Sequence, residues 1–184
     1  MATKKKLIKQ ELMLPETLSA TVTNGLIIIK GPKGTIERNL YHPTTTIKLE
    51  GKKIILDATY STKRERKLIG TYKAHIKNMF KGVLEGHTYK LKICSGHFPM
   101  NVKLSGNELI VNNFIGEKVP RKITIKPNVK VKIEGQDIIV ESNSKESAGQ
   151  VAADIETMTK IKNKDLRIFQ DGIYITEKDG KLLK

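Results

Sequence analysis

The 184-residue chain contains no tryptophan, and it has only four phenylalanines and five tyrosines. Any hydrophobic core must therefore be built mainly from Ile, Val, Leu and Met. The single cysteine, Cys94, excludes an intrachain disulfide and with it the disulfide-bridged class of secreted domains. No apolar run approaches the roughly 18 residues that a membrane helix needs, and the basic N-terminus lacks the apolar stretch of a signal peptide. We therefore expect a soluble protein of a reducing compartment, without a membrane segment.

The chain carries a large excess of positive charge. Thirty-four Lys and Arg residues stand against nineteen Asp and Glu residues, which gives a formal net charge of +15. Such a chain repels itself unless a polyanion neutralises it, and binding to phosphates releases condensed counterions. A nucleic acid is therefore the expected partner. The alternative is a solvated basic surface without a dedicated partner.

The chain contains an internal repeat. Residues 47–56 (IKLEGKKIIL) and 131–140 (VKIEGQDIIV) are identical at five of ten positions, at an offset of 84. Residues 70–79 (GTYKAHIKNM) and 149–158 (GQVAADIETM) share Gly, Ala, Ile and Met at an offset of 79. The smaller second offset predicts a surface-loop insertion at about residues 60–67 of the first copy. Two copies are too few for a solenoid, so the pattern indicates a duplicated domain.

Each copy is predicted to contain strands followed by one helix. In the first copy, Asn24-Gly25 predicts a tight hairpin, strands are expected at 44–50 and 54–58, and the helix begins with a capping box at Thr62–Glu65 and stops at Gly82. In the second copy, strands are expected at 100–104, 109–112, 120–126, 129–134 and 138–141, followed by a helix at 144–161.

These elements predict an α+β fold of two tandem copies, each an antiparallel-rich sheet packed against one main helix. The alternating segment 88–93 is predicted to be a strand that completes the first sheet. The expected organisation is a basic N-terminal arm at 1–13, the first repeat at 14–95, the second repeat at 96–177 and a C-terminal tail at 178–184.

The positive charge is concentrated in the first half. Residues 1–92 carry nineteen basic and seven acidic groups, whereas residues 93–184 carry fifteen and twelve. The basic start of the first helix is either a face that follows phosphates or an ordinary solvated surface. The N-terminal lysines form either a flexible arm that RNA orders or a disordered terminus. The candidates for secondary phosphate contacts are Lys4, Lys5, Lys6, Lys63, Arg64, Arg66 and Lys67.

No catalytic or metal-binding constellation is recognisable, so we expect no enzyme, no cofactor and no metal. Cys94 and His97 are half of a zinc-ligand pair without a second pair, and nothing in the sequence orients them as a nucleophile and its base. A buried structural thiol is the favoured alternative. The segment Gly31-Pro-Lys-Gly34 lacks the spacing of a nucleotide-binding loop, and a hairpin turn with a basic residue is the favoured interpretation.

Several motifs together resemble the family of universal large-subunit ribosomal protein six. They are Gly31-Pro-Lys-Gly34, residues 78–86 (NMFKGVLEG) and residues 149–153 (GQVAA). Residues 113–118 (NFIGEK) and 163–174 (NKDLRIFQDGIY) resemble its archaeal and eukaryotic branch, and the bacterial Tyr-Lys-Gly-Lys-Gly ending is missing. The resemblance extends from about Leu14 to Glu177.

This resemblance implies a structural constituent of the large ribosomal subunit. Its expected location is the base of the lateral stalk, close to the sarcin–ricin loop, the subunit interface and the tRNA-binding region. Expected partners are large-subunit rRNA and neighbouring large-subunit and stalk-base proteins, with translation factors nearby and no homo-oligomer. A free RNA-binding regulator or chaperone and an RNA-modifying enzyme are the alternatives, and co-sedimentation with large subunits separates the three.

The resemblance implies that the second copy is the main RNA-docking domain. We expect its contacts in the basic segment after residue 117, at the start of the second helix, where free N–H groups suit a phosphate, and in the loop after that helix. A tyrosine in the last strand either stacks on an unpaired base or packs on the sheet. The predicted rRNA-binding residues are Lys118, Arg121, Lys122, Ser144, Lys145, Ser147, Gln150, Lys160, Lys162, Lys164, Arg167 and Tyr174.

Overall fold

The computed structural model describes residues 8–60 and 62–183. The chain forms two compact units, residues 1–85 and residues 86–184. In the first unit the elements are β1 (Ile8–Met13), β2 (Ser19–Thr23), β3 (Leu26–Gly31), β4 (Gly34–Asn39), β5 (Thr45–Glu50), β6 (Lys53–Ala58) and α1 (Lys63–Leu84). In the second they are β7 (His87–Cys94), β8 (Asn101–Ser105), β9 (Glu108–Asn112), β10 (Arg121–Thr124), β11 (Val129–Glu134), β12 (Asp137–Ser142), α2 (Lys145–Met158), β13 (Gly172–Lys178) and β14 (Lys181–Leu182).

The first unit contains two antiparallel three-stranded sheets and α1. The strand orders are β2-β3-β4 and β1-β6-β5. The predicted hairpin at Asn24-Gly25 joins β2 to β3, and both residues have the positive φ angles, 47° and 83°, that such a tight turn requires. Alternate strand residues such as Ile27, Ile29 and Ile54 are fully buried against α1. The core is aliphatic, as the scarcity of aromatic residues predicts.

Helix α1 begins where the sequence indicates and ends later than predicted. Thr62 is its N-cap, but the Thr62 hydroxyl donates to the buried Glu65 carboxylate and accepts no backbone N–H, so the two-way capping box does not form. Gly82 is buried within the helix and does not end it. The helix stops after Leu84, and Gly86 then takes the left-handed φ of 82° that ends many helices.

The segment 31–34 packs against the last turn of α1. A side chain on Gly31 would place its Cβ 2.4 Å from the Leu18 and Val83 methyl groups, so only glycine fits there. The Lys33 N–H donates to the Val83 carbonyl at 3.1 Å, and the Lys33 ammonium donates to the Glu85 carbonyl. This basic hairpin turn therefore satisfies carbonyl groups at the C-terminal end of the helix.

The second unit has a three-stranded sheet, β10-β9-β8, and a five-stranded sheet, β11-β12-β7-β13-β14. Every recorded strand pair in it is antiparallel. Helix α2 packs across β7, β12 and β13, with Val151 and Ile155 buried on its inner face. The predicted fold class is confirmed, since each tandem unit combines antiparallel sheets with one α-helix among the described residues.

The strand at residues 88–93 was assigned to the wrong sheet. It lies within β7, which pairs with β12 on one side and β13 on the other, so it is a central strand of the second unit. Tyr89 and Leu91 are buried in that unit's core. Alternation of apolar and basic residues predicts a strand but does not identify its partner, and for this reason the sequence placed it in the preceding copy.

Strand β1 occupies the corresponding place in the first unit. Leu12 pairs with Ile54 in β6, and Leu91 pairs with Ile138 in β12. Ile54 and Ile138 are themselves related by the repeat offset of 84. The predicted arm at 1–13 is therefore wrong for residues 8–13, which form a sheet strand. Residues 1–7 lie outside the described residues.

Two further boundaries differ from the predictions. The expected C-terminal tail contains β14, which pairs with the end of β13. The expected loop insertion at 60–67 is only partly loop, because α1 already begins at Lys63. Part of the extra length in the first copy is thus an additional N-terminal stretch of helix.

Candidate nucleic-acid interface

The structure places the predicted rRNA-binding residues at the two ends of α2. The segment 118–122 reaches the C-terminal end, because the Arg121 guanidinium donates to the carbonyl of Met158, the last helical residue. The loop that carries Lys160 to Arg167 starts at the same end. Ser144, Lys145 and Ser147 lie at the N-terminal end, on the order of 20 Å away at 1.5 Å per residue, and Gln150 follows in the second turn. The predicted set therefore forms two groups.

The side chains at the N-terminal end of α2 are largely engaged within the protein. The Ser144 hydroxyl accepts the Ser147 N–H at 3.3 Å, as an N-cap does. The Lys145 ammonium lies 3.5 Å from an oxygen of Asp179, and the Gln150 amide donates to Asp154 at 2.7 Å. Fewer side chains at this helix start are therefore free to contact a phosphate than the sequence indicated.

Arg121 is held by contacts with Glu117, Phe114 and Met158. Its Nε and one terminal nitrogen donate to the two Glu117 carboxylate oxygens at 2.8 and 2.6 Å. Its Cζ lies 4.2 Å from the centre of the Phe114 ring, and this distance is a cation–π contact. The hydrogen bond from Arg121 holds the pKa of Glu117 below its usual range. Arg121 thus joins the hairpin of the smaller sheet to the end of α2.

Four lysines remain exposed in the two segments that meet at the C-terminal end of α2. Within residues 8–60 and 62–183, none of these four ammonium groups has an ion-pair or hydrogen-bond partner. Two of them lie in the segment that Arg121 anchors, and the other two lie at the start of the loop after α2. These lysines are Lys118, Lys122, Lys160 and Lys162.

The remaining two basic residues of the loop have local partners. The Lys164 ammonium lies 4.5 Å from the centre of the Phe169 ring. The Arg167 guanidinium pairs with Asp165 at 2.7 Å, although the Arg167 side chain is 90% exposed. Hydrogen bonding to Arg167 lowers the pKa of Asp165, and the same contact raises the pKa of Arg167. Both cations face solvent and can still meet a phosphate.

Asp171 fixes the far end of this loop, and the sequence analysis did not identify it. Its carboxylate is buried and accepts the backbone N–H groups of Gly96 and His97. The His97 ring nitrogen Nδ1 lies 3.0 Å from the second oxygen, and the ring stacks on Phe169 with centroids 4.8 Å apart. Burial raises the pKa of Asp171, but these hydrogen bonds outweigh burial and hold it below its usual value.

His97 therefore has an orienting partner, contrary to the sequence-based expectation that nothing orients it. Its role is to bridge the β7–β8 connection and the loop before β13. The Asp-Gly pair at 171–172 is part of a family motif, and no pattern in the sequence connects it with residues 96–97. Among the described residues, no cluster of three His, Cys, Asp or Glu side chains is placed to hold a metal.

The cations predicted for the first unit are only partly described. Lys63, Arg64, Arg66 and Lys67 are exposed on the first turns of α1. Lys4, Lys5 and Lys6 lie outside the described residues. With β7 assigned to the second unit, residues 1–85 and residues 86–184 each carry seventeen Lys and Arg. The charge difference between the units therefore arises from acidic residues, of which the second unit has more.

The described helices contain no segment long and apolar enough to cross a membrane. The second unit has a cleft of about 990 Å³ between β13, the end of α2 and the loop after it. Tyr174, Lys160, Leu166 and Ile168 line this cleft. The predicted tyrosine thus belongs with the group at the C-terminal end of α2.

Comparison with known proteins agrees with this architecture. The family model described as ribosomal protein L6 matches residues 14–86 and again residues 98–172, one match in each copy. The large ribosomal subunit protein uL6 of Methanococcus vannielii is 45% identical over 177 residues, covering 96% of this chain and 97% of that protein. The uL6 proteins of Nanoarchaeum equitans and Methanosarcina mazei are 46% and 43% identical over 95% and 94% of the chain, and over 95% and 98% of their own lengths. The resemblance inferred from the motifs is confirmed, and the chain belongs to the ribosomal protein L6 family.

Proposed function

We propose that the chain is a structural, non-enzymatic constituent of the large ribosomal subunit in the cytoplasm and that its second unit docks on large-subunit rRNA. The relatives support the first part, since each is a large ribosomal subunit protein. The observation that carries the second part is the presence of four exposed lysines in the two segments that meet at the C-terminal end of α2, since these lysines lack ion-pair partners among the described residues.

The arrangement of these lysines suits a polyanion of defined shape. Arg121 fixes the 117–122 segment on the helix end, and Asp171 fixes the loop after α2, so both segments are anchored before RNA arrives. A preorganised surface loses less conformational freedom on binding than a disordered one. Lys164 and Arg167 extend the positive surface along the loop, and the cations of α1 add phosphate contacts that do not depend on sequence.

In the subunit, the proposed location is the base of the lateral stalk. There the protein would lie near the sarcin–ricin loop, the subunit interface and the tRNA-binding region. Neighbouring large-subunit and stalk-base proteins would be its protein contacts, with translation factors close by. Sequence resemblance to the family supports this location, and cryo-electron microscopy of the assembled large subunit would test it.

Binding to in vitro transcribed Methanococcus vannielii large-subunit rRNA tests the docking surface. We expect Lys160→Ala with Lys162→Ala to weaken binding and to lower the slope of log affinity against log salt by about two, one for each lost phosphate contact. Lys103→Ala with Lys130→Ala removes the same charge from β8 and β11 of the same unit and serves as the matched control. Equal effects of the two pairs would mean that bulk charge alone drives binding.

The contribution of the loop after α2 to rRNA binding can also be compared directly with the contribution of the N-terminal lysines. We expect Lys164→Ala with Arg167→Ala to weaken rRNA binding at physiological salt more than deletion of Lys4, Lys5 and Lys6. The reason is that contacts with an RNA surface of complementary shape persist when salt screens long-range electrostatic attraction. Titrations at two or more salt concentrations measure this, and co-sedimentation with large subunits shows whether each variant still assembles. A larger effect of the deletion would refute the proposed docking surface.

A further inference from the structure

The cleft beside α2 has apolar walls that the folded unit leaves open to solvent. Leu166 is 58% exposed and Ile168 is 62% exposed, although both lie in a loop anchored at Asp171. Tyr174 of β13, which is 40% exposed, lines the same cleft. Neighbouring exposed apolar side chains in a concave site indicate an occupant that covers them.

The acidic groups that line this cleft are already satisfied by the protein. Asp171 accepts the N–H groups of Gly96 and His97. Glu156 accepts the N–H of Ile175 at 3.0 Å. Lys160 also lines the cleft, is exposed, and has no ion-pair partner in the described parts of the chain. The charge left for an occupant is therefore positive.

The Tyr174 ring lies against the backbone at Gly172. It packs directly over Gly172, where an added Cβ would lie only 3.2 Å from the Tyr174 Cζ and hydroxyl oxygen. Burial raises the pKa of the Tyr174 hydroxyl, which is therefore uncharged at neutral pH. The exposed part of the ring offers a stacking surface to an occupant of the cleft.

We propose that this cleft receives one unpaired base of the rRNA, stacked on Tyr174 and flanked by Leu166 and Ile168, with the adjoining phosphate at Lys160. The proposal rests on the proposed function and names what this part of the docking surface binds. A base has an apolar π face whatever its identity, so an aromatic and aliphatic slot accepts it. A paired helix presents mainly phosphate and sugar and would leave the slot uncovered.

Ultraviolet cross-linking of the full-length protein to M. vannielii large-subunit rRNA tests the contact directly. Irradiation at short wavelength joins bases to side chains in van der Waals contact. We expect mass spectrometry to find a nucleotide attached to the peptide that contains Tyr174, and the Tyr174→Phe variant to retain a cross-link there. Cross-links confined to peptides outside residues 160–174 would overturn the proposal.

Affinity measurements separate the slot from the charged surface. We expect Tyr174→Ala to weaken rRNA binding about tenfold, with Tyr174→Phe close to the original protein, because the ring supplies the stacking. Leu166→Ala with Ile168→Ala should also weaken binding several-fold, and since both side chains are exposed, the fold does not depend on them. Tyr41→Ala removes a 67% exposed tyrosine of the first unit and is the matched control.

The results distinguish the two proposals. If the Lys160 and Lys162 substitutions weaken rRNA binding but both slot variants bind like the Tyr41→Ala control, the docking surface stands and the base slot is wrong. If neither the lysine substitutions nor the slot variants weaken rRNA binding, the proposed docking surface itself is wrong. If the slot variants bind rRNA normally but fail to enter large subunits, a protein neighbour covers the cleft and the base slot is again wrong.

Discussion

Lys33 and Arg121 perform the same task in the two copies of the fold. Lys33 lies in the turn between β3 and β4, Arg121 lies at the start of β10, and each donates to a carbonyl at the C-terminal end of its unit's helix. The last carbonyls of a helix have no partner within it and carry the negative end of the dipole, so a cation there is stabilising. The two side chains differ in environment, since Lys33 is exposed whereas the Arg121 side chain is 30% exposed and paired with Glu117.

Substitution of these cations should therefore affect stability unequally. We expect Arg121→Ala to lower the free energy of unfolding of the second unit by about 2 kcal/mol, because charge-assisted hydrogen bonds to Glu117 and Met158 are lost. Lys33→Ala should cost the first unit about 0.5 kcal/mol, as is typical of an exposed cation at a helix end. Urea unfolding followed by circular dichroism measures both changes.

Neighbouring lysines provide the controls. Lys122→Ala and Lys30→Ala remove exposed charges next to these positions and should change stability by less than about 0.5 kcal/mol. Arg121 was also predicted as an rRNA contact. A variant Arg121→Ala that keeps its stability but loses rRNA affinity would show that the residue contacts RNA and does not act as a helix cap.

Asp171 gives the second unit a defined response to acid. A carboxylate whose pKa is lowered in the folded protein stabilises the fold above its unfolded-state pKa of about 4, and this stabilisation disappears as the pH falls through the folded value. Asp171→Asn removes the titrating charge and one acceptor oxygen. We expect it to lower the unfolding free energy by about 2 kcal/mol at pH 7.

The difference in unfolding free energy between the original protein and the Asp171→Asn variant should become smaller as the pH falls below about 4. Unfolding free energies at a series of pH values between 3 and 7 measure it. Glu108→Gln, at an exposed position of β9, is the control and should show no comparable trend. A difference in unfolding free energy that stays constant with pH would mean that Asp171 stabilises the fold through its shape and not through its charge.

Elements were easier to predict from the sequence than their partners. The hairpin at Asn24-Gly25, the strand pairs β5–β6 and β11–β12 and the start of α2 all appear close to their predicted positions. Local periodicity and turn residues determine these features. The pairing of β1 and β7 depends on contacts distant along the chain, and here the predictions failed. The last turn of α1 also continued past Gly82, because packing outweighs the low helix propensity of one glycine.

The candidate site was predictable only in part, for a similar reason. The composition and the resemblance indicated which basic residues to consider. They gave no indication that the Arg121 guanidinium donates hydrogen bonds to Glu117 and Met158, or that Asp171 anchors the loop after α2. The exposed Leu166 and Ile168 were also missed, since a single apolar residue in a basic loop carries no periodic signal.

Strand β1 should contribute substantially to the stability of the first unit. Leu12 is 6% exposed within that core, whereas its neighbour Met13 is 75% exposed. We expect Leu12→Ala to lower the unfolding free energy of the first unit by about 3 kcal/mol, since it removes buried methyl groups and leaves a cavity.

Met13→Ala is the matched control on the same strand and should cost less than about 0.5 kcal/mol. Thermal or urea unfolding of the full chain measures both variants. If the two substitutions had equal and small effects, residues 8–13 would behave as the arm that the sequence first indicated.

At the scale of the whole molecule, the division after Glu85 predicts where the chain can be cut. Each unit has its own core of buried residues. We expect the fragments Met1–Glu85 and Gly86–Lys184 each to unfold cooperatively when heated, because each keeps its complete set of strands. Calorimetry of the separate fragments measures this.

A cut after Ser95 is the informative comparison. The fragment Gly96–Lys184 lacks β7, which lies between β12 and β13, so it loses the central strand of its sheet and the buried side chains of Tyr89 and Leu91. We expect this fragment to show no cooperative transition. Cooperative unfolding of Gly96–Lys184 would contradict the central role of β7.

The central position of β7 also determines the order of events during synthesis. This strand is the first of its unit to leave the exit tunnel, yet its partner β13 is among the last, and Tyr89 pairs with Lys178. Pairing between such distant segments is slow to form. The first unit can therefore fold while the second is still being translated, and β7 must wait with an unsatisfied edge until Gly172–Lys178 has emerged. Nascent-chain folding thus proceeds in two steps, with the second completed only when β13 is available.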